Sequence, residues 1–400
     1  MQLPILLYDI GKWFGLIGFV FLALLIFSGD SARFWDRIFG LDKIIKFQRK
    51  FALFTSFFII FHPLLFVLSG SPILNYTIPD FSVLPLALGI IALYIFIVVM
   101  IASYIYKRIS YDIWQYIHFL TYILFFFSLY HAFNWGSDSN NLFIQILYAV
   151  SLILLVIGLI YRTQYKIRKR YSGKFFVDNI KWETGDTYTL NIRQERKIKF
   201  KAGQFCFLRL NKNKLHARHP FTIASSPDEQ MLRFTIKNTG RFTETASKLQ
   251  VGEEVLIDGP FGIFTERDSE NDLVFIAGGV GITPFISMIR DHLFKNKKQN
   301  IFLLYCSKTK KDIIFEKELD SINESWLEIV YILNQDNILK SENNFEYGYI
   351  TKTIVQKYIK NPDSSSFYIC GPTAMKSATK KILNDLRIPE KNIHTENFFW

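Results

Sequence analysis

Ala277-Gly278-Gly279-Val280-Gly281-Ile282-Thr283-Pro284 lies between an apolar strand pattern at 273–277 and an amphipathic helical pattern at 284–294. Thr283 suits the N-cap, and Pro284 the first helical position, where a missing amide hydrogen costs nothing. The glycines let a ligand approach the backbone, and free amides at the head of a helix favour a pyrophosphate. A plain tight turn would use the same residues. The stretch gains weight from a second turn of its kind, Cys370-Gly371-Pro372-Thr373, again between a strand pattern (366–370) and a helical one (374–386). Two such turns at the carboxyl ends of strands in one sheet would line one crevice, where open α/β sheets bind ligands. With a further strand at 301–306, the chain from 272 onward reads as a parallel sheet with crossover helices.

Upstream, short alternating strands at 174–181, 188–194, 204–210 and 231–237 predict a small antiparallel β-barrel. Before about 165 the composition changes again. Five apolar stretches, near 8–28, 51–69, 82–106, 114–134 and 142–161, approach the roughly 20 residues that a helix needs to cross a bilayer. The first is too long, too poor in basic residues before it and too lacking in an A-x-A site to read as a signal peptide, so it reads as a retained helix.

Lys and Arg outnumber Asp and Glu by 47 to 35, but much of this charge borders the apolar stretches. Segment 30–50 carries Arg33, Arg37, Lys43, Lys46, Arg49 and Lys50. Lys107 and Arg108 follow the third span, and Arg162, Lys166, Arg168, Lys169 and Arg170 leave the fifth. Loops 70–81 and 135–141 have no Lys or Arg. The positive-inside rule then places the amino terminus outside and the soluble half in the cytosol. This distribution argues against nucleic acid as the reason for the basicity. Cys206, Cys306 and Cys370 lack CxxC spacing, which argues against a disulfide framework or zinc site and fits a reducing cytosol.

AGGVGITP, Cys370-Gly371-Pro372-Thr373-Ala374-Met375 and His219-Pro220-Phe221-Thr222 together resemble the ferredoxin–NADP reductase-type dehydrogenase module. The form HPFT and the ending Glu396-Asn397-Phe398 are similar to its membrane branch, the NADPH oxidases and ferric reductases, including bacterial ferric-reductase-like members. The resemblance implies that His219, Pro220, Phe221 and Thr222 contact FAD and its ribityl chain, with Lys237 also among the cofactor-binding residues. It implies that Gly240-Arg241-Phe242-Thr243 brings a helix N-terminus to the FAD pyrophosphate. Arg241 departs from the acidic residue often found there, though a cation beside a pyrophosphate is electrostatically sound. NADPH or NADH is expected at Gly278, Gly279, Gly281, Ile282, Thr283, Pro284, Cys370, Gly371 and Pro372. Cys370 would lie beside the nicotinamide C4, and Phe398 would stack on the isoalloxazine and move for nicotinamide to enter. The plainer alternatives are a buried small hydrophobe for Cys370 and chain-end packing for Phe398, Phe399 and Trp400. Lys308, Lys310 and Lys311 could hold a 2′-phosphate, or form a solvated surface.

The first half of the chain has three histidines, His62, His118 and His131, each inside an expected span. Ionisable side chains there are costly and usually functional. Neutral imidazole is an axial ligand of haem iron, although a hydrogen bond to a neighbouring helix would also satisfy it. The resemblance implies an inner and an outer bis-His haem. His118 and His131, 13 residues apart, are separated by about 20 Å along a helix and turned roughly 140° from one another. His62 and His131 match the outer pair. Gln48 stands where the inner pair would have histidine, leaving three options: an oxygen ligand, a five-coordinate haem on His118, or no inner haem. The family usually has six spans, and five are read here.

The fold class expected is thus a membrane α-helical bundle of five spans followed by an antiparallel β-barrel FAD domain and an α/β parallel-sheet NAD(P) domain. The boundaries expected are 1–165 for the transmembrane haem-binding domain, 166–268 for the FAD barrel and 269–400 for the NAD(P) domain. The function expected is electron transfer from cytosolic NAD(P)H, via FAD and one or two b-type haems, to a small outer-face acceptor, dioxygen or ferric iron. The alternatives are a relay subunit reducing a partner protein or quinone, and a haem-free, membrane-tethered flavoreductase. The expected location is a bacterial inner membrane.

Overall fold

Inside a bilayer a backbone must satisfy its own hydrogen bonds, and the amino-terminal part of this chain does so with helices. They are α1 (Gln2–Asp30), α2 (Ala32–Phe39), α3 (Leu41–Leu68), α4 (Leu84–Tyr104), α5 (Tyr111–Trp135) and α6 (Leu142–Arg170). All but α2 coincide with segments long and apolar enough to cross a membrane, so this is an integral membrane protein. The computed structural model describes residues 2–106, 108–136, 138–170, 173–210, 218–267, 271–336 and 344–396. It falls into two units, Met1–Tyr171 and Ser172–Trp400.

The segment 30–50, read from sequence as a loop, is helical. ARFWDRIF alternates cations with aromatic and aliphatic residues at helical spacing, giving the amphipathic α2. Its break from α3 is Gly40, whose φ of 83° suits glycine and whose amide closes α2 on the Asp36 carbonyl. At the other end of the unit, α6 runs to Arg170, beyond the apolar run, because residues 159–170 contain no Gly or Pro to end it. Phe19, Ala23, Ala92, Phe96, Leu124, Phe125 and Leu155 form the core of the bundle. A buried charge also sits at one end: Tyr122 donates to the Asp30 carboxylate at 2.8 Å and Arg162 at 2.9 Å. Such pairing is what makes a buried carboxylate tolerable.

In the second unit, β1 (Phe175–Trp182), β2 (Thr187–Gln194), β3 (Phe205–Leu210), β4 (His219–Thr222), β5 (Met231–Lys237), the short α7 (Arg241–Ala246) and β6 (Val255–Phe261) come first. They make two antiparallel sheets, β1-β2-β5 and β4-β3-β6. Bridges at Phe176↔Glu254 and Ile223↔Phe234 join the sheets around a core that includes Tyr188, Leu190, Cys206, Leu208 and Phe234.

Next come β7 (Asp272–Gly278), α8 (Thr283–Lys295), β8 (Ile301–Ser307), α9 (Glu316–Asp320), β9 (Leu327–Leu333), β10 (Phe345–Tyr347), α10 (Lys352–Tyr358), β11 (Ser365–Cys370), α11 (Thr373–Asp385) and β12 (Ile393–Thr395). These strands form one parallel sheet in the order β10-β9-β8-β7-β11-β12. Alternate residues of β7 pack on opposite faces: Phe275 with Phe285 and Ile289 of α8, Val274 and Ile276 with Val355 of α10 and Leu383 of α11. A strand covered on both faces must be apolar throughout, which is why Leu273-Val274-Phe275-Ile276-Ala277 does not alternate. From β7 the chain builds outward through β8 and β9, then returns to the other side of β7 as β11. The switch point therefore lies between the two glycine turns.

Candidate functional site

The parallel register sets Cys370 opposite Ala277, so the turns after β7 and β11 leave the sheet side by side. A Cβ on Gly281 would stand 2.4 Å from the Cys370 carbonyl oxygen, and one on Gly278 would stand 2.6 Å from Met375 Sδ. Glycine at these two positions lets the turns pack against each other, which adds to the reason given by the sequence. At Gly279, with φ of 53°, a Cβ would meet nothing within 4 Å, so the open side of the turn is there. Tyr305 steadies it: its hydroxyl donates to the Gly279 carbonyl and accepts from the Ile314 amide, each at 3.1 Å.

The expected cap is displaced by one residue. Gly279–Ile282 form a 3-10 turn, Ile282 occupies the N-cap of α8, and Thr283 is already helical with Pro284 after it. The Thr283 hydroxyl donates back to the Val280 carbonyl at 3.0 Å instead of accepting from α8. The preceding turn is already helical in sense, so no extended cap residue is needed.

Cys370 is wholly buried, in the core cluster that includes Ala224, Phe264 and Phe275. Burial pushes its thiol pKa well above the ordinary value, and that of Cys306 to about 12. Both are neutral thiols near pH 7. Beyond β12, the Glu396 amide donates to the Ile369 carbonyl at 3.0 Å, which holds Glu396 alongside the last residues of β11. Phe398 lies outside the described residues. Near the three lysines, the Lys310 amide donates to the Asp336 carboxylate at 2.6 Å, and Lys310 Nζ lies 4.9 Å from the Phe345 ring centre.

In the barrel, His219, Pro220, Phe221 and Thr222 pair with Leu208, Phe207, Cys206 and Phe205 of β3. The His219 ring centre is 4.1 Å from that of Phe242, and Phe221 stacks on Phe242 at 5.8 Å, so HPFT and the 240–243 turn are one cluster. Burial lowers the His219 pKa, which favours neutral imidazole. Gly240 caps α7, and the Thr243 hydroxyl accepts from the Thr239 and Gly240 amides at 3.0 Å. Arg241 opens α7. Lys237 ends β5, where its ammonium pairs with the Asp186 carboxylate at 2.9 Å.

Sequence reasoning missed the residues that tie this barrel to the parallel-sheet domain. On α8, Ser287 donates to the Ser225 carbonyl at 2.7 Å and Arg290 Nη1 to the Ala224 carbonyl at 2.6 Å. The same guanidinium grips both oxygens of Glu318 at 2.7 Å. Ala224 and Ser225 lie two and three residues beyond HPFT. A cation among the apolar positions of α8 was the available signal.

In the helical unit, His62 of α3 and His131 of α5 face each other with ring centres 6.3 Å apart and planes at 72°. His62 Nδ1 lies 2.8 Å from the Gly11 carbonyl of α1, and His131 Nδ1 lies 3.0 Å from the Pro85 carbonyl of α4. A carbonyl can only accept, so each Nδ1 carries the proton and each Nε2 keeps its lone pair. Two nitrogen–metal bonds of about 2 Å plus two ring radii span roughly 6 Å, so the separation of the rings would suit both imidazoles holding one metal. Two imidazoles do not complete an octahedral sphere, and a macrocycle such as haem would supply the rest. The pair lines a cavity with Phe19, Leu124, Gly15 and Gly89, and with the more exposed Lys12 and Asp138, which pair at 3.1 Å.

His118 and Gln48 have other partners. His118 Nδ1 is 3.0 Å from the Trp114 carbonyl, its Nε2 is 3.3 Å from Ser103 Oγ, and the Trp114 ring centre is 3.8 Å from its own. The Gln48 amide donates to Ser28 Oγ at 3.2 Å.

Comparison with known families matches residues 14–129 to the ferric reductase like transmembrane component, 174–265 to an FAD-binding domain and 275–381 to the oxidoreductase NAD-binding domain. The chain thus joins a ferric reductase-like transmembrane component to an FAD-binding domain and an oxidoreductase NAD-binding domain. Its parts are those of a membrane-bound protein that binds FAD and a nicotinamide nucleotide. Among curated relatives, the chain is 28% identical over 200 residues to a component of the Na(+)-translocating NADH-quinone reductase of Haemophilus influenzae, covering 46% of this chain and 49% of that one. The corresponding component in Neisseria meningitidis is 29% identical over 195 residues, covering 44% and 48%. The chain thus spans about half the length of the curated relatives it matches. Among solved structures, cytochrome P450 reductase GcoB of Amycolatopsis superposes with a TM-score of 0.51 at 22% identity, over 56% of this chain and 69% of that one. The flavohem-like FAD/NAD binding domain of nitric oxide dioxygenase from Vibrio cholerae gives 0.51 at 20%, over 57% and 99%. At these identities the likeness concerns the fold.

Proposed function

We propose that this enzyme moves electrons across a membrane, from NAD(P)H through FAD to a b-type haem ligated by His62 and His131, and on to an acceptor on the far side. The observation that carries the reading is the facing pair of imidazoles, each tied at Nδ1 to a carbonyl of another helix. FAD supplies the exchange between a two-electron hydride and the single electrons that haem iron accepts.

The chain's own residues divide the work. His219, Pro220, Phe221, Thr222 and the 240–243 turn hold the flavin, and Lys237 adds positive charge to that region. Residues 278–284 and 370–372 hold the nicotinamide nucleotide, with Cys370 as a neutral wall and Phe398 covering the flavin. Domain boundaries of 1–165, 166–268 and 269–400 follow this division. Gln48 and His118 each have another partner, so the reading assigns them no haem and gives one haem per FAD. The basic segments 30–50, 107–108 and 162–170 orient the catalytic half to the cytosolic side of a bacterial inner membrane.

The acceptor we favour is a small oxidant on the outer face, dioxygen or ferric iron. The likeness to NADH-quinone reductase components supports a second reading, in which a quinone or a partner protein takes the electrons. Two measurements on purified full-length protein separate these cases. The haem-to-FAD ratio is expected to be one. A ratio of zero sinks the haem reading, and a ratio of two gives Gln48 and His118 the role denied here. Reoxidation of the anaerobically reduced enzyme by oxygen, ferric citrate and a short-chain quinone then ranks the acceptors; fastest reoxidation by quinone would favour the second reading.

A further inference from the structure

The two helices that support the histidines do so in the same way. On α1, the Gly11 carbonyl meets His62 Nδ1, and four residues later a Cβ on Gly15 would stand 2.6 Å from His62 Nδ1 and 2.7 Å from its Cε1. On α4, the Pro85 carbonyl meets His131 Nδ1, and four residues later a Cβ on Gly89 would stand 2.6 Å from His131 Nδ1 and 2.7 Å from its Cγ. Residues four apart share a helix face. Each helix therefore presents a carbonyl and, one turn on, a notch where a side chain is missing.

Neither glycine is demanded by its backbone, since both lie inside α-helices without a positive φ. Glycine is also among the weakest helix formers. Close approach of helix backbones is the usual reason for glycine in membrane helices. Here, however, the three nearest atoms to the missing Cβ are histidine ring atoms in both cases. Gly18 on the same α1 gives the contrast. Its missing Cβ faces Ile59 and Phe58 of α3, the nearest atom at 3.0 Å, as ordinary helix packing would have it.

We propose that Gly15 and Gly89, with the carbonyls of Gly11 and Pro85, are matched imidazole seats. They are positioning residues. The carbonyl fixes which ring nitrogen bears the proton, and the notch fixes the rotation of the ring about its side-chain bonds. Metal-bound histidines are tuned through such contacts, because ring orientation and the hydrogen bond at the second nitrogen set ligand basicity. The seats thereby set the ligand field and midpoint potential of the group between the imidazoles. The inference rests on the haem reading above.

The test uses the full-length protein with Gly15→Ala, Gly89→Ala and, as packing control, Gly18→Ala. Three quantities are read: the low-temperature EPR signal of the oxidised protein, the haem midpoint potential, and FAD content with the rate of flavin reduction by NAD(P)H. The expected result is a changed low-spin signal and a shifted potential, or loss of haem, in Gly15→Ala and Gly89→Ala. FAD content and flavin reduction should remain as in the parent, and Gly18→Ala should match the parent throughout. Parent-like EPR and potential in both seat variants would overturn the proposal. So would equal damage in Gly18→Ala, which would make the effect general helix crowding. A parent protein without haem would be a failure of the underlying reading instead, and is recognised before any variant is made.

Discussion

At the scale of single residues, glycine and cysteine show how the same letter acquires its role from what it touches. The sequence marks Gly278, Gly279 and Gly281 alike, as places where a ligand meets backbone. The structure separates them, because only at Gly279 is the space beside the backbone open. Gly281→Ala would force the turn away from the Cys370 carbonyl. Overpacking of this kind costs about 1–3 kcal/mol. Expressed in nucleotide binding, that is a KM for NAD(P)H raised roughly 5- to 150-fold, with FAD content unchanged; steady-state kinetics on purified protein checks it. Cys370 and Cys306 have thiol pKa values raised by burial. In the native protein both should resist maleimide at pH 7, and both should react after denaturation, as mass spectrometry would count. The pairing of His62 with His131 was expected from the resemblance to the family, not from spacing alone. Spacing along α5 cannot tell that His131 faces α3 while His118 stacks on Trp114.

At the scale of elements, α8 does two jobs. Its first turn follows the nucleotide crevice, and its later residues Ser287 and Arg290 hold the segment that follows HPFT. Burial raises the Glu318 carboxyl pKa, but the hydrogen bonds and charge of Arg290 outweigh it and hold the net value below the ordinary one. A depressed carboxylate stabilises the fold above its unfolded pKa, near 4.3 for Glu, and that contribution disappears as pH falls through the folded value. Arg290→Met should therefore destabilise the catalytic unit by roughly 2–3 kcal/mol at pH 7 and flatten the acid limb of its stability profile, as chemical denaturation from pH 7 to pH 3 would record. The five spans and seven strands were legible because each has one dominant signal, alternation or a long apolar run, while β4, β6, β9, β10 and β12 were not read. The helix α2 was not, since its cations read as a loop until their spacing is weighed against Phe34, Ile38 and Phe39. The Thr283 cap was misread because a single-residue pattern cannot reveal the 3-10 turn before it.

At the scale of the whole molecule, composition carried the division into a membrane unit and a catalytic unit, and motif pairs carried the identity of the second. The tie between barrel and parallel sheet stayed hidden, because Arg290 and Ala224 are 66 residues apart. Orientation is a property of this scale too. The account predicts that a cysteine at Asn140 reacts with a membrane-impermeant maleimide in intact cells, while one at Arg108 reacts only after the membrane is opened. The reverse pattern would invert the topology and put the nucleotide site on the wrong side for cytosolic NAD(P)H.

Anaerobic reduction of purified parent and His131→Ala protein by NAD(P)H, followed by absorbance, tests electron transfer from FAD to a haem held by His62 and His131. The account predicts flavin bleaching followed by reduced b-type haem bands in the parent. In His131→Ala it predicts flavin bleaching alone, because the haem has lost one of its two seated ligands. Full haem bands in His131→Ala, at the parent's intensity and position, would contradict the account, and would move the electron acceptor of the flavin away from the His62–His131 pair.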